Sequence, residues 1–312
     1  MGKIAYLFPG QASQYAGMGR DLADNFAVAR EVFAEADDAL GFAISQMCFG
    51  GTAEDLQLTE NTQPAILTVS VAAYRVAMSE GLPQPDFVAG HSLGEYSALV
   101  AAGGLALSDA VRAVRLRGRY MQEAVPIGVG AMAAVMGAEL SLLVEICAEA
   151  AQGEVCSPAN INSGNQIVIA GNAGAIDRAL GILKERGVRK AIKLNVSAPF
   201  HCALMQPAQE RLAADLRQLN FTALSTSLIV NVDAAPLKDG EMARTALVRQ
   251  VTAPVRWFES IEYLLTAGVT TFVEIGPGKV LCGLLRQVNR EARGLNVEDM
   301  ASLQATREAL TA

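Results

Sequence analysis

The stretch Phe87-Val88-Ala89-Gly90-His91-Ser92-Leu93-Gly94-Glu95 constrains this chain more than any other. A short apolar run meets Gly-x-Ser-x-Gly, and a helix-like segment rich in Ala and Leu follows over 93–102. Strand, tight turn and helix in that order are what a nucleophile elbow requires. Glycines on either side let the backbone turn without a Cβ clash. The Ser92 hydroxyl is then held at a helix N-terminus, where amides favour developing negative charge. Ser92 is therefore the candidate nucleophile.

The rest of the chain surrounds that turn with alternating elements. Residues 3–8 form a nearly continuous apolar run, as expected of a parallel strand covered on both faces, and end in the turn Pro9-Gly10-Gln11. Helices are predicted over 21–40, over 64–78 with Pro64 in the first turn, and over 109–125 with Ser108 as cap. This rhythm predicts an α/β fold with a mostly parallel sheet. Between residues 131 and 196 the pattern changes to strand 131–136, helix 140–151, strand 155–161, strand 167–170, helix 175–186 and strand 190–196. That β-α-β-β-α-β order is the ferredoxin-like arrangement. We read 128–197 as an inserted small domain, 1–127 and 198–312 as one large domain, and the cleft between them as the active site. Beyond the insert we expect helices over 203–219, 241–251, 258–267 and 278–293, and strands over 228–232 and 271–275.

A serine nucleophile needs a base, and the chain has only 2 histidines. His91 adjoins Ser92 in a tight turn, where neighbouring side chains diverge. His201, in the loop Ser197-Ala198-Pro199-Phe200-His201 after the insert, is the usable candidate. A third clue is Arg117. At about 100° per residue, Arg112, Arg115 and Arg119 share one flank of their helix, whereas Arg117 falls among apolar neighbours. Its planar fork suits a carboxylate. A structural ion pair with an Asp or Glu is the competing explanation.

Composition closes several other routes. With 51% hydrophobic and 18% charged residues over 312 positions, the chain can bury a large core as one or two globular domains. Five cysteines without a Cys-x-x-Cys pair argue against a disulfide framework or zinc site, and no metal is expected. A net charge of −7 opposes nucleic acid as a general partner. No apolar stretch is long enough to span a bilayer and no signal peptide is evident, so no membrane association and a cytoplasmic location are expected. Gly128-Val129-Gly130 imitates a dinucleotide fingerprint but follows a helix and precedes a strand, the reverse of what phosphate binding needs. Gly276-Pro277-Gly278-Lys279 lacks P-loop spacing and reads as the start of a helix, in a position to line the cleft.

Phe8-Pro9-Gly10-Gln11-Ala12-Ser13-Gln14, Gly90-His91-Ser92-Leu93-Gly94-Glu95, Arg117, Ala198-Pro199-Phe200-His201 and Glu274-Ile275-Gly276-Pro277-Gly278 together resemble the malonyl-CoA:acyl carrier protein transacylases of bacterial fatty acid synthesis. The resemblance spans nearly the whole chain. It implies an α/β-hydrolase-like core with a ferredoxin-like insert. Ser92 would be the acylated nucleophile, His201 the base and Arg117 the malonate anchor. The main-chain amides of Gln11 and Leu93 would form the oxyanion hole, and the Gln250 carbonyl would orient the histidine. We expect Met121, Met132 and Phe200 to line the substrate pocket, malonyl-CoA and an acyl carrier protein as partners, no cofactor, and a monomer. Two basic clusters, Arg189-Lys190 with Lys193 and Arg286 with Arg290 and Arg293, are candidates for docking an acidic carrier. The alternatives are a polyketide-type acyltransferase for malonyl or methylmalonyl units, a non-catalytic acyl-CoA or carrier-binding module, and a serine thioesterase or hydrolase. The last needs an Asp or Glu in the triad. Between serine and histidine the only aspartates are Asp109 and Asp177.

Overall fold

The computed structural model describes residues 2–196 and 198–311. Ser197, where the insert was expected to end, and the terminal residues Met1 and Ala312 lie outside the described residues. Strands in chain order are β1 (Lys3–Phe8), β2 (Phe87–Gly90), β3 (Gly130–Met136), β4 (Cys156–Ser163), β5 (Gln166–Asn172), β6 (Lys190–Lys193), β7 (Ser227–Val230), β8 (Ala235–Leu237), β9 (Val269–Ile275) and β10 (Arg293–Val297). Among the described residues they form a six-stranded sheet, β10-β9-β1-β2-β7-β8, and a four-stranded sheet, β4-β5-β3-β6. The first is parallel except for its edge strand β8, and the second is antiparallel throughout. The fold is thus mixed α/β with two sheets, and no helix among the described residues is long and apolar enough to cross a membrane.

Burial explains the unbroken apolar run of β1. Ile4, Tyr6 and Phe8 enter one hydrophobic cluster, Ala5 and Leu7 a second on the opposite face, so period-two alternation carries no polar partner. The small sheet divides its faces differently. Ile167 and Ile169 of β5 pack with Leu143, Ile146, Ile176 and Leu183 of its own two helices. Val168 and Ala170 join the main cluster instead. A backbone bridge reinforces this contact: Ile161 N donates to Val255 O and Val255 N to Ala159 O, each at 2.9 Å.

Several elements differ from the sequence expectation. The segment 21–40 forms two helices, Arg20–Asn25 and Ala27–Leu40, broken at Phe26, whose backbone is extended. Arg30 Nη1 donates to the Ala23 carbonyl freed at that break, at 2.8 Å. Pro64 lies inside the helix Thr59–Ser79 rather than at its start. A proline there lacks the N–H that the Glu60 carbonyl would accept, and Arg115 Nη1 donates to that carbonyl instead, at 3.2 Å. Ser108 is not a cap, because the helix Leu107–Glu123 begins one residue before it, with Ala106 at the N-cap. The helix expected over 278–293 is Val280–Val288 and stops where Asn289 turns extended. The Asn289 side chain accepts from the amides of Glu291 and Ala292 at 2.8 and 3.2 Å, and the chain runs on into the unforeseen strand β10 and helix Met300–Thr311.

The pairing of Phe8 with Gly90 sets the ends of β1 and β2 side by side. The helix Gly94–Ala101 starts against them so closely that a Cβ on Gly94 would lie 2.0 Å from the Phe8 carbonyl oxygen. Gly94→Ala is accordingly expected to destabilise the protein by about 3 kcal/mol, read as a lowered urea midpoint. An unchanged midpoint would remove this steric account.

Candidate active site

Three loops at the carboxyl ends of neighbouring parallel strands build the site, the usual place for ligands in open α/β sheets. Gln11 follows β1, Ser92 follows β2 and Asn231 follows β7. Ser92 itself takes the left-handed conformation, φ +52°. The glycines beside it serve close approach instead: a Cβ on Gly90 would meet the Gly94 carbonyl carbon at 1.9 Å. Asn231 pins the strained turn from behind, its Oδ1 accepting from Ser92 N and its Nδ2 donating to Gly90 O, both at 2.7 Å.

The chain beyond β6 brings His201 to this turn, also with positive φ, +59°. Its Nε2 lies 2.7 Å from Ser92 Oγ, and its Nδ1 lies 2.8 Å from the Gln250 main-chain oxygen. A carbonyl only accepts, so Nδ1 carries the proton and Nε2 is free to take one from the serine. Burial and then the Arg117 charge push the imidazole down to about 3, leaving it neutral near pH 7. Neither aspartate candidate for an acid triad takes part: Asp109 pairs with Arg112 and Asp177 with Lys193. His91 faces β4, with Nε2 2.8 Å from Asn162 Oδ1 and its ring beside Trp257.

Arg117 is 1% exposed, while Arg112 and Arg119 on the outer flank are exposed. Its Nη1 donates to Gln63 Oε1 at 2.8 Å. Its Nη2 donates to Gln250 Oε1 at 2.9 Å and Ser92 Oγ at 3.1 Å. Its Nε has no partner, and no carboxylate pairs with it among the described residues. Desolvation lowers its pKa, yet a guanidinium stays charged at any physiological pH. The structural ion pair considered from sequence is therefore not what holds it.

A cleft of about 170 Å³ opens over these groups. Met121 and Phe200 line it, together with Met132 of β3, Asn160 of β4, and Leu194 and Val196 beyond β6. The main-chain amides of Gln11 and Leu93 donate to no protein acceptor among the described residues, whereas the Gln11 side chain is tied to Thr59 Oγ1 at 3.3 Å. The loop 276–279 is not among the lining residues, contrary to expectation. It leads into the helix Val280–Val288, whose first amides, of Leu281 and Cys282, are held by the Glu274 carboxylate.

Sequence reasoning missed Gln63, Asn231 and Glu95. Uncharged amides far apart in the chain carry no motif. Glu95 did offer a signal, an acid among Leu, Tyr and Ala in an apolar helix. It is fully buried, and desolvation raises its carboxyl to about 7.

Comparison with known proteins places this geometry in context. The family model described as acyl transferase domain matches residues 5–308. The malonyl CoA-acyl carrier protein transacylase of Escherichia coli K12 is 48% identical over 288 residues, 92% of this chain and 93% of that protein. The transacylase structure from Coxiella burnetii superposes with TM-score 0.97 at 41% identity, covering 99% of this chain and 98% of that one. A malonyl-transacylase in complex with its type II PKS acyl-carrier protein superposes with TM-score 0.95 at 45% identity, covering 98% of this chain and 99% of that one.

The electrostatics predict a distinctive pH profile for modification of Ser92 by a small uncharged sulfonyl fluoride. Only neutral imidazole can accept the serine proton, so labelling should persist down to about pH 4 and fail as pH approaches the low His201 value. Arg117→Met removes the repelling charge, raises the His201 pKa and should move the loss of labelling to higher pH. Coincident profiles would show that Arg117 does not act on the imidazole.

Proposed function

The chain belongs to the acyl transferase domain family, and from that premise we infer that it moves a malonyl group from malonyl-CoA to the phosphopantetheine thiol of an acyl carrier protein, supplying fatty acid elongation. One observation carries the choice of substrate: a buried guanidinium without a carboxylate partner among the described residues donates to the Ser92 oxygen at 3.1 Å. An acetyl or long-chain acyl group would leave that charge uncompensated. A malonyl group brings the missing anion. A relative's complex with a type II PKS carrier favours a second reading, in which the product feeds polyketide assembly by the same chemistry.

In the mechanism we propose, the malonyl carboxylate engages Arg117 and cancels its repulsion of His201, raising the basicity of the imidazole as substrate arrives. His201 Nε2 takes the Ser92 proton while Oγ attacks the thioester carbonyl. The amides of Gln11 and Leu93 receive the oxyanion, a role in which losing one donor typically costs about 10²- to 10³-fold. The C–S bond breaks, CoA leaves with the proton from His201, and malonyl-Ser92 remains. The carrier thiol then gives its proton to His201, attacks the ester and departs as malonyl thioester, returning the proton to Ser92. No metal or redox group is called upon in these steps, and we propose that the chain acts as a cytoplasmic monomer.

The finer architecture belongs to the same proposal: residues 1–127 and 198–312 as an α/β-hydrolase-like domain, 128–197 as a ferredoxin-like insert. The strand order β4-β5-β3-β6 supports the second assignment. Arg189 and Lys190 are exposed at the edge strand β6, whose chain continues into the cleft wall, while Lys193 is paired with Asp177. Arg286 and Arg290 are exposed, and Arg293 donates to the Ala309 carbonyl.

Mass spectrometry after mixing with malonyl-CoA should find a malonyl adduct on Ser92 that carrier protein discharges; an adduct lost to water alone would identify a hydrolase. Arg117→Ala should reduce malonyl transfer about 100-fold more than acetyl transfer, and equal losses would refute the anchor. Charge reversal at Arg189 and Lys190 should raise the carrier's KM and spare the CoA half-reaction. An unaffected KM would move docking to the Arg286 cluster.

A further inference from the structure

Glu95 takes no part in these steps, although it is fully enclosed beside the reacting groups. Its Oε2 accepts from Gln250 Nε2 at 2.9 Å and from Asn231 N at 2.8 Å, and its Oε1 has no partner among the described residues. Enclosing a carboxyl with one oxygen unbonded works against folding. The Gln250 side chain offers a reason for its presence. Gln250 Nε2 faces only acceptors: Ser92 O at 2.9 Å, Glu95 Oε2 at 2.9 Å and Asn231 Oδ1 at 3.3 Å. With that end committed, Oε1 points the other way and accepts from Arg117 Nη2 at 2.9 Å.

We propose that Glu95 is a positioning residue: by fixing which end of the Gln250 amide faces Arg117, it holds the guanidinium in register for the malonyl carboxylate without pairing with it. The proposal rests on reading Arg117 as the carboxylate anchor. Glu95 Oε2 accepts from the Asn231 main-chain amide as well as from Gln250 Nε2, so an acceptor oxygen is held against the donor end of the Gln250 amide. A direct Glu95–Arg117 pair would occupy the N–H groups that substrate needs. With a neutral amide between them, the Glu95 carboxyl stays one residue away, and the bond from Arg117 Nη2 to the uncharged Gln250 oxygen orients the guanidinium while leaving its charge for the substrate carboxylate to neutralise.

Three variants test this, each measured for kcat and KM with malonyl-CoA and with acetyl-CoA. Glu95→Met removes the acceptor at similar volume. Gln250→Met removes the amide and keeps the main-chain carbonyl for His201. Glu95→Gln keeps an acceptor oxygen. Both Met variants should lower the malonyl-to-acetyl ratio of kcat/KM about 10-fold, through the malonyl KM, with Glu95→Gln within about 3-fold of the parent. The double Met variant should be no worse than either single one, because both cut the same chain of bonds. Equal losses on the two substrates, additive losses in the double variant, or a Glu95→Gln as impaired as Glu95→Met would each overturn the proposal. Should Glu95→Met not fold, an unchanged ratio in Gln250→Met overturns it alone. Arg117→Ala separates the two levels: if it leaves the ratio unchanged the anchor reading fails, and if it collapses the ratio while Gln250→Met does not, only the role of Glu95 fails.

Discussion

A permanently charged guanidinium, kept from water and given only neutral oxygens to bind among the described residues, is the constraint around which the site is arranged. Arg117 reaches the nucleophile, the Gln250 side chain and Gln63 at once. Its charge depresses the neighbouring imidazole and opposes the rise that burial imposes on Glu95. A site in this condition is incomplete until an anion arrives. In the proposed mechanism, substrate selection and activation of the base follow from one Coulombic change.

The scaffold makes that arrangement possible by rigid means. Parallel strands end at one edge of the sheet, so loops from β1, β2 and β7 converge without long excursions. The turn holding Ser92 is strained, and strain of this kind persists only where surrounding structure over-determines it. Here Gly90 and Gly94 allow backbone contacts no side chain would permit, and Asn231 bonds both Ser92 N and Gly90 O. The small antiparallel sheet supplies part of the facing wall. It is tied down through the bridge at Val255 and the face of β5 that packs into the main cluster.

Gln250 joins the two halves of the chemistry. Its main-chain oxygen orients His201 while its side chain holds Arg117. A small displacement of this one residue would misplace His201 and Arg117, the proposed base and the proposed anion site, together. That concentration explains why the helix Gly240–Gln250 ends in a buried, fully bonded glutamine rather than a solvated one.

Much of this was legible in the chain itself. Local chemistry determined the elbow, because only a short strand, paired glycines and a helix-forming run allow that turn. Scarcity singled out His201, and helical periodicity set Arg117 apart from Arg112 and Arg119. Segment boundaries were less legible where a distant group replaced a local signal, as Arg115 does at the Glu60 carbonyl beneath Pro64. What only the tertiary structure decided was the company those residues keep: Gln63, Glu95 and Asn231 around the reacting groups, and the absence of a carboxylate beside Arg117 among the described residues. Neutral amides show no periodicity or motif, and which of them meet depends on how distant strands and helices pack. Sequence spacing carries residue chemistry, whereas a buried charge takes its meaning from neighbours that only folding brings within 3 Å.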